Sequence, residues 1–259
     1  MRGEQLKALA EVTAAEACFL VAAWWMQAAR PEGYGWYSKS FMILLGFLGI
    51  LAHGRPGSYG LKPRSWRFSA KWTAMTVSLF ALAYLVALLG AAIAGMHMSL
   101  KPVELLEYIL WYYVFVGFSE ELFFRGYVQS RLNEVFTRRY RSFLWVRFEW
   151  TQGTLVTAVF LFGLPHLLVW INPFMGVFRV TGVALAVAAS AVFMGLVLGV
   201  LREKTGCILL STALHGSMTF TTFSLSKVIG ATALGGVAAA AAVFAFLALL
   251  ERILSDPLH

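Results

Sequence analysis

Six polar side chains stand where a chain this apolar has few of them. They are Glu120, Glu121 and Arg125 in "GFSEELFFRG", His166 in "FGLPH", and His215 and Thr219 in "LHGSMT". Carboxylate and imidazole are the groups best suited to take up and return a proton near neutral pH. A glutamate taken out of water has its pKa raised, which suits a group that must take a proton and return it. No serine or cysteine is placed as an evident nucleophile, so the chemistry needs no covalent intermediate. Glu120, His166 and His215 are also a catalytic zinc set that leaves one position for water. The residue types leave both versions open; the reading without a cofactor is taken first, with zinc as its alternative.

Spacing separates the two carboxylates. Glu121 and Arg125 are four residues apart, which stacks them on one helix face and lets them pair. Glu120 points about 100° away and is left for chemistry. Glu121 and Arg125 therefore read as a structural pair and Glu120 as a carboxylate free for chemistry, with His166, His215 and Thr219 the other polar groups inside the expected membrane volume. His53, His97 and His259 lie at segment ends or the terminus and are given no role.

The elements that must position these groups are membrane helices. The 259 residues are 59% hydrophobic and 13% charged, against about 45–50% and about 25% in soluble domains. The excess falls in long runs; Met75 to Ala94 holds no charge over a span able to cross about 30 Å of hydrocarbon. Eight apolar segments are expected, near 9–29, 38–53, 72–94, 104–128, 152–171, 181–201, 206–226 and 229–250. The first contains Glu11 and Glu16, and the second is short. The expected fold is all-α, a single polytopic membrane domain over 1–259 with about eight transmembrane helices.

Basic residues test that count. With the N-terminus in the cytoplasm, sixteen of the 21 Lys and Arg fall on the cytoplasmic side, and Arg30, Lys39, Lys101, Arg179 and Lys227 on the other. The bias supports both the count and an orientation with both termini cytoplasmic. A net charge of +8 then reads as contact with anionic headgroups, not with nucleic acid. The stretch "RLNEVFTRRYRSFLWVRFEW" (131–150) reads as a helix extension followed by an interfacial segment. Cys18 and Cys207 read as small core residues, and Gly195 and Gly199 as a close helix contact.

Helix rise brings the polar groups to one level. Glu120 lies about 16 Å from Arg131, His215 about 16 Å from Lys204, and His166 about 20 Å from Gly153 at about 1.5 Å per residue. Ionisable groups at that depth are functional by default.

Three motifs in this order are familiar. "EELFFR" (120–125) resembles the EExxxR motif of the CAAX-protease and bacteriocin-processing family, "FGLPH" (162–166) its FxxxH motif, and "FMGLVLGVLREKTGCILLSTALHGSMT" (193–219) its third block. The resemblance covers about 104–226. It implies an eight-helix intramembrane endopeptidase, in a prokaryotic inner or plasma membrane, with its site open to the cytoplasm and a membrane-associated protein or peptide as substrate. It would make Glu120 and His166 the water-activating pair, and His215 with the residue four positions on the oxyanion site. The family usually has Asn at that last position, and here it is Thr219. A proton-coupled transporter or a non-catalytic scaffold using the same midplane residues are the rival classes.

Overall fold

The computed structural model describes residues 3–99 and 101–258; Arg2 and His259 lie outside them. All eight expected segments are helical. They are α1 (Gly3–Ala29), α2 (Tyr34–Ala52), α3 (Trp66–Ile93), α4 (102–135), α5 (152–170), α6 (Gly182–Thr205), α7 (Leu209–Ile229) and α8 (Thr232–Ala248), with a short α9 (Leu250–Ser255) behind. Among the described residues, four stretches are long and apolar enough to cross a membrane by length and composition: Tyr34–Ala52, Gly57–Ile93, Gln152–Trp170 and Gly182–Thr205.

Local signals explain where helices start and stop. Ser65 caps α3 by accepting from the Phe68 N–H, and Thr181 caps α6 by accepting from Ala184. Gly206 and Gly230 end α6 and α7 with φ of 75° and 73°, a left-handed conformation that costs any residue with a Cβ.

The bundle is apolar outside as well as inside. Leu82, Leu85, Val86 and Leu89 on α3 are each more than half exposed, as lipid-facing positions are. One buried cluster joins α1, α2 and α4, with Leu161 and Phe162 of α5; another joins α3, α6, α7 and α8. Contacts reveal direction. Residues 46 and 49 of α2 meet 122 and 127 of α4, so these run parallel. Phe162 of α5 meets Phe124, whereas Thr154 meets Gln129, so α5 runs antiparallel to α4. His215 of α7 meets Glu121, whereas Ser217 meets Tyr113, again antiparallel.

One expectation is refined and one corrected. The helix extends to Val135, and the rest of the arginine-rich stretch is a small antiparallel hairpin, with Arg139 opposite Thr151 and Tyr140 opposite Trp150. Tyr140 and Phe143 pack on the Trp150 ring, while Trp145 at the tip is exposed. Cys207 is buried as expected, but Cys18 is exposed on the outside of α1.

Candidate active site

Glycines set the distance between the helices that carry the site. Gly117 on α4, one turn before Glu120, meets Gly216 on α7; a Cβ on Gly117 would lie 3.1 Å from the Gly216 backbone. This backbone contact delivers His215, the neighbour of Gly216, onto the two carboxylates of α4. The pair predicted on α6 works in the same way: a Cβ on Gly195 would lie 2.9 Å from the Phe162 ring, and one on Gly199 would lie 2.6 Å from Thr154. Close contact of small residues substitutes in lipid for the missing hydrophobic drive.

Glu121 and Arg125 form the expected pair, with Nη1 to Oε1 at 3.1 Å and both side chains fully buried. Arg125 reaches further. Its Nη2 donates to the Gly195 carbonyl at 3.4 Å, and its guanidinium lies 3.9 Å from the Phe162 ring centroid. One side chain thus ties α4 to both α5 and α6, which a planar, delocalised cation can do. The chain around it hydrogen-bonds with the wide π spacing over Glu121–Val128, a departure from the regular helix that recurs at functional sites.

His215 stands between the two carboxylates. Its Nδ1 lies 3.0 Å from Glu121 Oε1 and its Nε2 3.7 Å from Glu120 Oε2. A carboxylate paired with arginine accepts, so Nδ1 carries the ring proton and Nε2 is aimed at Glu120. His166 is oriented by backbone. The helix α5 passes from π to 3₁₀ spacing at Leu164–Trp170 beside Pro165, and His166 Nδ1 donates to the Phe162 carbonyl at 2.6 Å. Its Nε2 keeps a free lone pair, as a base requires. The Phe162 ring stands edge-on to both histidines, with centroids 4.9 and 6.1 Å away.

Glu120 and His166 line one cavity of about 90 Å³, with Phe124, Phe162, Pro165 and Val169. The structure brings Glu120, His166, His215, Glu121 and Arg125 together. Thr219 lies one turn beyond His215, but its hydroxyl donates back into its own helix, to the carbonyls of His215 at 2.9 Å and Gly216 at 3.2 Å.

Two charged residues of the site were not singled out from sequence. Lys39, counted there as a charge outside the membrane, turns inward from α2; its Nζ lies 2.6 Å from Glu120 Oε1, with both side chains largely buried. Glu16 of α1 lines the same cavity, is almost fully buried, and leaves Oε1 without a hydrogen-bond partner. The signal was present: Glu16 and Lys39 are charges inside or beside the first two segments, one of which carries two glutamates while the other is short. The rule applied to Glu120 applies to them as well. At the far end of α4, Glu11 accepts from Tyr127 at 2.8 Å and Arg131 at 2.9 Å and contacts His53 at 2.8 Å, so His53 belongs to a structural network.

A zinc ion fits this donor set poorly. Among the described residues no three His, Cys, Asp or Glu side chains are grouped as metal ligands, and an ammonium already occupies Glu120 Oε1.

No curated protein and no solved structure matches the chain. A family model does match, over residues 102–221, and its description is type II CAAX prenyl endopeptidase Rce1-like. That segment holds all of Glu120, Glu121, Arg125, His166, His215 and Thr219, and the family it matches is the CAAX-protease family whose motifs the chain resembles.

Proposed function

We propose that this protein is an intramembrane endopeptidase that hydrolyses a peptide bond in a hydrophobic or membrane-tethered protein or peptide. The observation that carries the reading is the shared cavity of Glu120 and His166 with His215 Nε2 on the other carboxylate oxygen. A water held against Glu120 and the free His166 Nε2 loses its proton to this pair as its oxygen attacks the carbonyl carbon. The proton then passes to the leaving nitrogen as the C–N bond breaks. His215 faces the place where the tetrahedral oxygen forms, and Thr219 reaches it only by rotating off its helix carbonyls. Glu121 and Arg125 hold His215 and α4 in place.

The reaction is read without a metal. A divalent ion at Glu120 has to displace the Lys39 ammonium, and full activity after exhaustive chelation is the expected result. The helix directions, α2 parallel to α4 with α5 and α7 antiparallel to it, fit eight alternating crossings. The basic bias carries the reading of both termini as cytoplasmic, and the exposed Trp145 hairpin tip suits a place among anionic headgroups.

The test compares peptide termini in membranes from cells carrying wild type, Glu120→Gln and His166→Ala at matched abundance. New termini made by wild type alone are expected. Identical termini with a phenotype that still requires the protein would move the reading to transport or scaffolding.

A further inference from the structure

Hydrolysis places a full negative charge on the carbonyl oxygen, and donors must already be aimed at its position. The side chains expected to supply them are largely committed. The single Thr219 hydroxyl proton goes to helix carbonyls. His215 directs Nδ1–H at Glu121, so its Nε2 donates only when the ring carries both protons. Arg125 is sealed against Glu121, Gly195 and Phe162 and does not line the cavity.

Lys39 does line it, in company with Glu120 and His166. We propose that Lys39 is the cationic donor that holds the tetrahedral oxyanion, a proposal that rests on the hydrolytic reading above. Its Nζ sits 2.6 Å from the carboxylate that orients the water, within side-chain reach of a carbonyl that this water attacks. One of its three N–H donors is used on Glu120, leaving two.

The charges move in step. Before attack, the ammonium is paired with the Glu120 carboxylate. The water oxygen then forms its bond to the carbonyl carbon, the π pair moves onto the carbonyl oxygen, and the water proton goes to Glu120. Glu120 becomes neutral as the oxyanion appears, and the ammonium shifts from the one to the other. Collapse restores the C=O bond and breaks the C–N bond. The nitrogen takes the proton, and the Glu120 carboxylate pairs with Lys39 again. No charge is created or left uncompensated in the cavity. Lys39 lies outside the matched residues 102–221, so α2 contributes to the reaction and not only to packing.

The competing role is a mere counter-ion for Glu120. Full-length wild type, Lys39→Gln and Lys39→Arg in lipid nanodiscs distinguish the two. The substrate probe is an internally quenched farnesylated peptide ending in a CAAX sequence, and the transition-state probe is a phosphinate analogue of that peptide. Lys39→Gln keeps a hydrogen bond to Glu120 and removes the charge. The expected result is a loss of about 10²–10³-fold in kcat with KM changed by less than about threefold. Phosphinate affinity is expected to fall by the same factor as kcat/KM. Adding Thr219→Asn to Lys39→Gln, a longer donor on the same face, recovers about tenfold of the loss, and Lys39→Arg stays within about tenfold of wild type.

Wild-type kcat in Lys39→Gln overturns the proposal. So does a loss of activity with phosphinate bound as tightly as by wild type, which assigns Lys39 to charge pairing alone. Where Lys39→Gln does not fold, the same scaling of kcat/KM with phosphinate affinity is read in Lys39→Arg. A wild type that cleaves the probe no faster than Glu120→Gln overturns the hydrolytic reading itself, and this proposal with it.

Discussion

Nδ1 of His215 on α7 lies 3.0 Å from Oε1 of Glu121 on α4, across 94 residues of sequence. The contact fixes which ring nitrogen is protonated and turns the other toward Glu120. Glu121→Gln keeps the shape but offers an amide that can also donate, so the ring is free to reverse. By comparison with amidation of the orienting carboxylate in a protease triad, kcat is expected to fall by up to about 10⁴-fold with KM little changed. Steady-state kinetics on the farnesylated peptide checks this, and unchanged kcat removes Glu121 from the mechanism.

Arg125 is fully buried and joins three helices. Arg125→Met leaves the Glu121 carboxylate without its partner, at an expected cost of about 3–5 kcal/mol. The double variant Glu121→Met, Arg125→Met removes both charges and should recover part of that loss. Denaturant unfolding in mixed micelles measures both, and a single variant as stable as wild type contradicts the buried pairing.

Close packing of α4 on α7 is equally testable. A Cβ on Gly216 would fall 2.8 Å from the Tyr113 ring. Gly216→Ala is expected to destabilise by about 1–3 kcal/mol and to lower kcat further than that by moving His215 off Glu120. Thermal unfolding and cleavage assays on the same preparation separate the two effects. Wild-type melting and wild-type turnover together would show that α7 yields freely at this contact.

Orientation has its own measurement. Cysteine placed at Ser142, in the arginine-rich hairpin, should react with an impermeant maleimide only after cells are opened. Cysteine at Gly176, between α5 and α6, should react in intact cells. The background carries Cys18→Ala, since Cys18 is exposed. The reverse pattern inverts the topology and moves both termini outside.

Much of this protein was legible without coordinates. Eight apolar runs became eight helices because hydrophobicity over about 20 residues is a local property that lipid reads directly. The Glu121–Arg125 pair followed from a spacing of four on one helix, which also needs no knowledge of neighbours. The small-residue contacts of Gly195 and Gly199 were readable for the same reason.

Tertiary structure decided the rest. Lys39 read as a loop charge because sequence records how far a residue lies from a helix end, not which way its side chain turns. Only the parallel packing of α2 on α4 brings it to Glu120, 81 residues away. Glu16 reached the same cavity through the packing of α1 against both. The Thr219 hydroxyl, promising by position, was claimed by the carbonyl of His215 one turn behind it. Sequence by itself determined which segments are apolar enough to form membrane helices and that Glu120, Glu121 and Arg125 interrupt one of them. Which of them face one another depends on helix rotation and packing, set by contacts such as that of Gly117 with Gly216, far apart in the chain and closed only when the bundle forms.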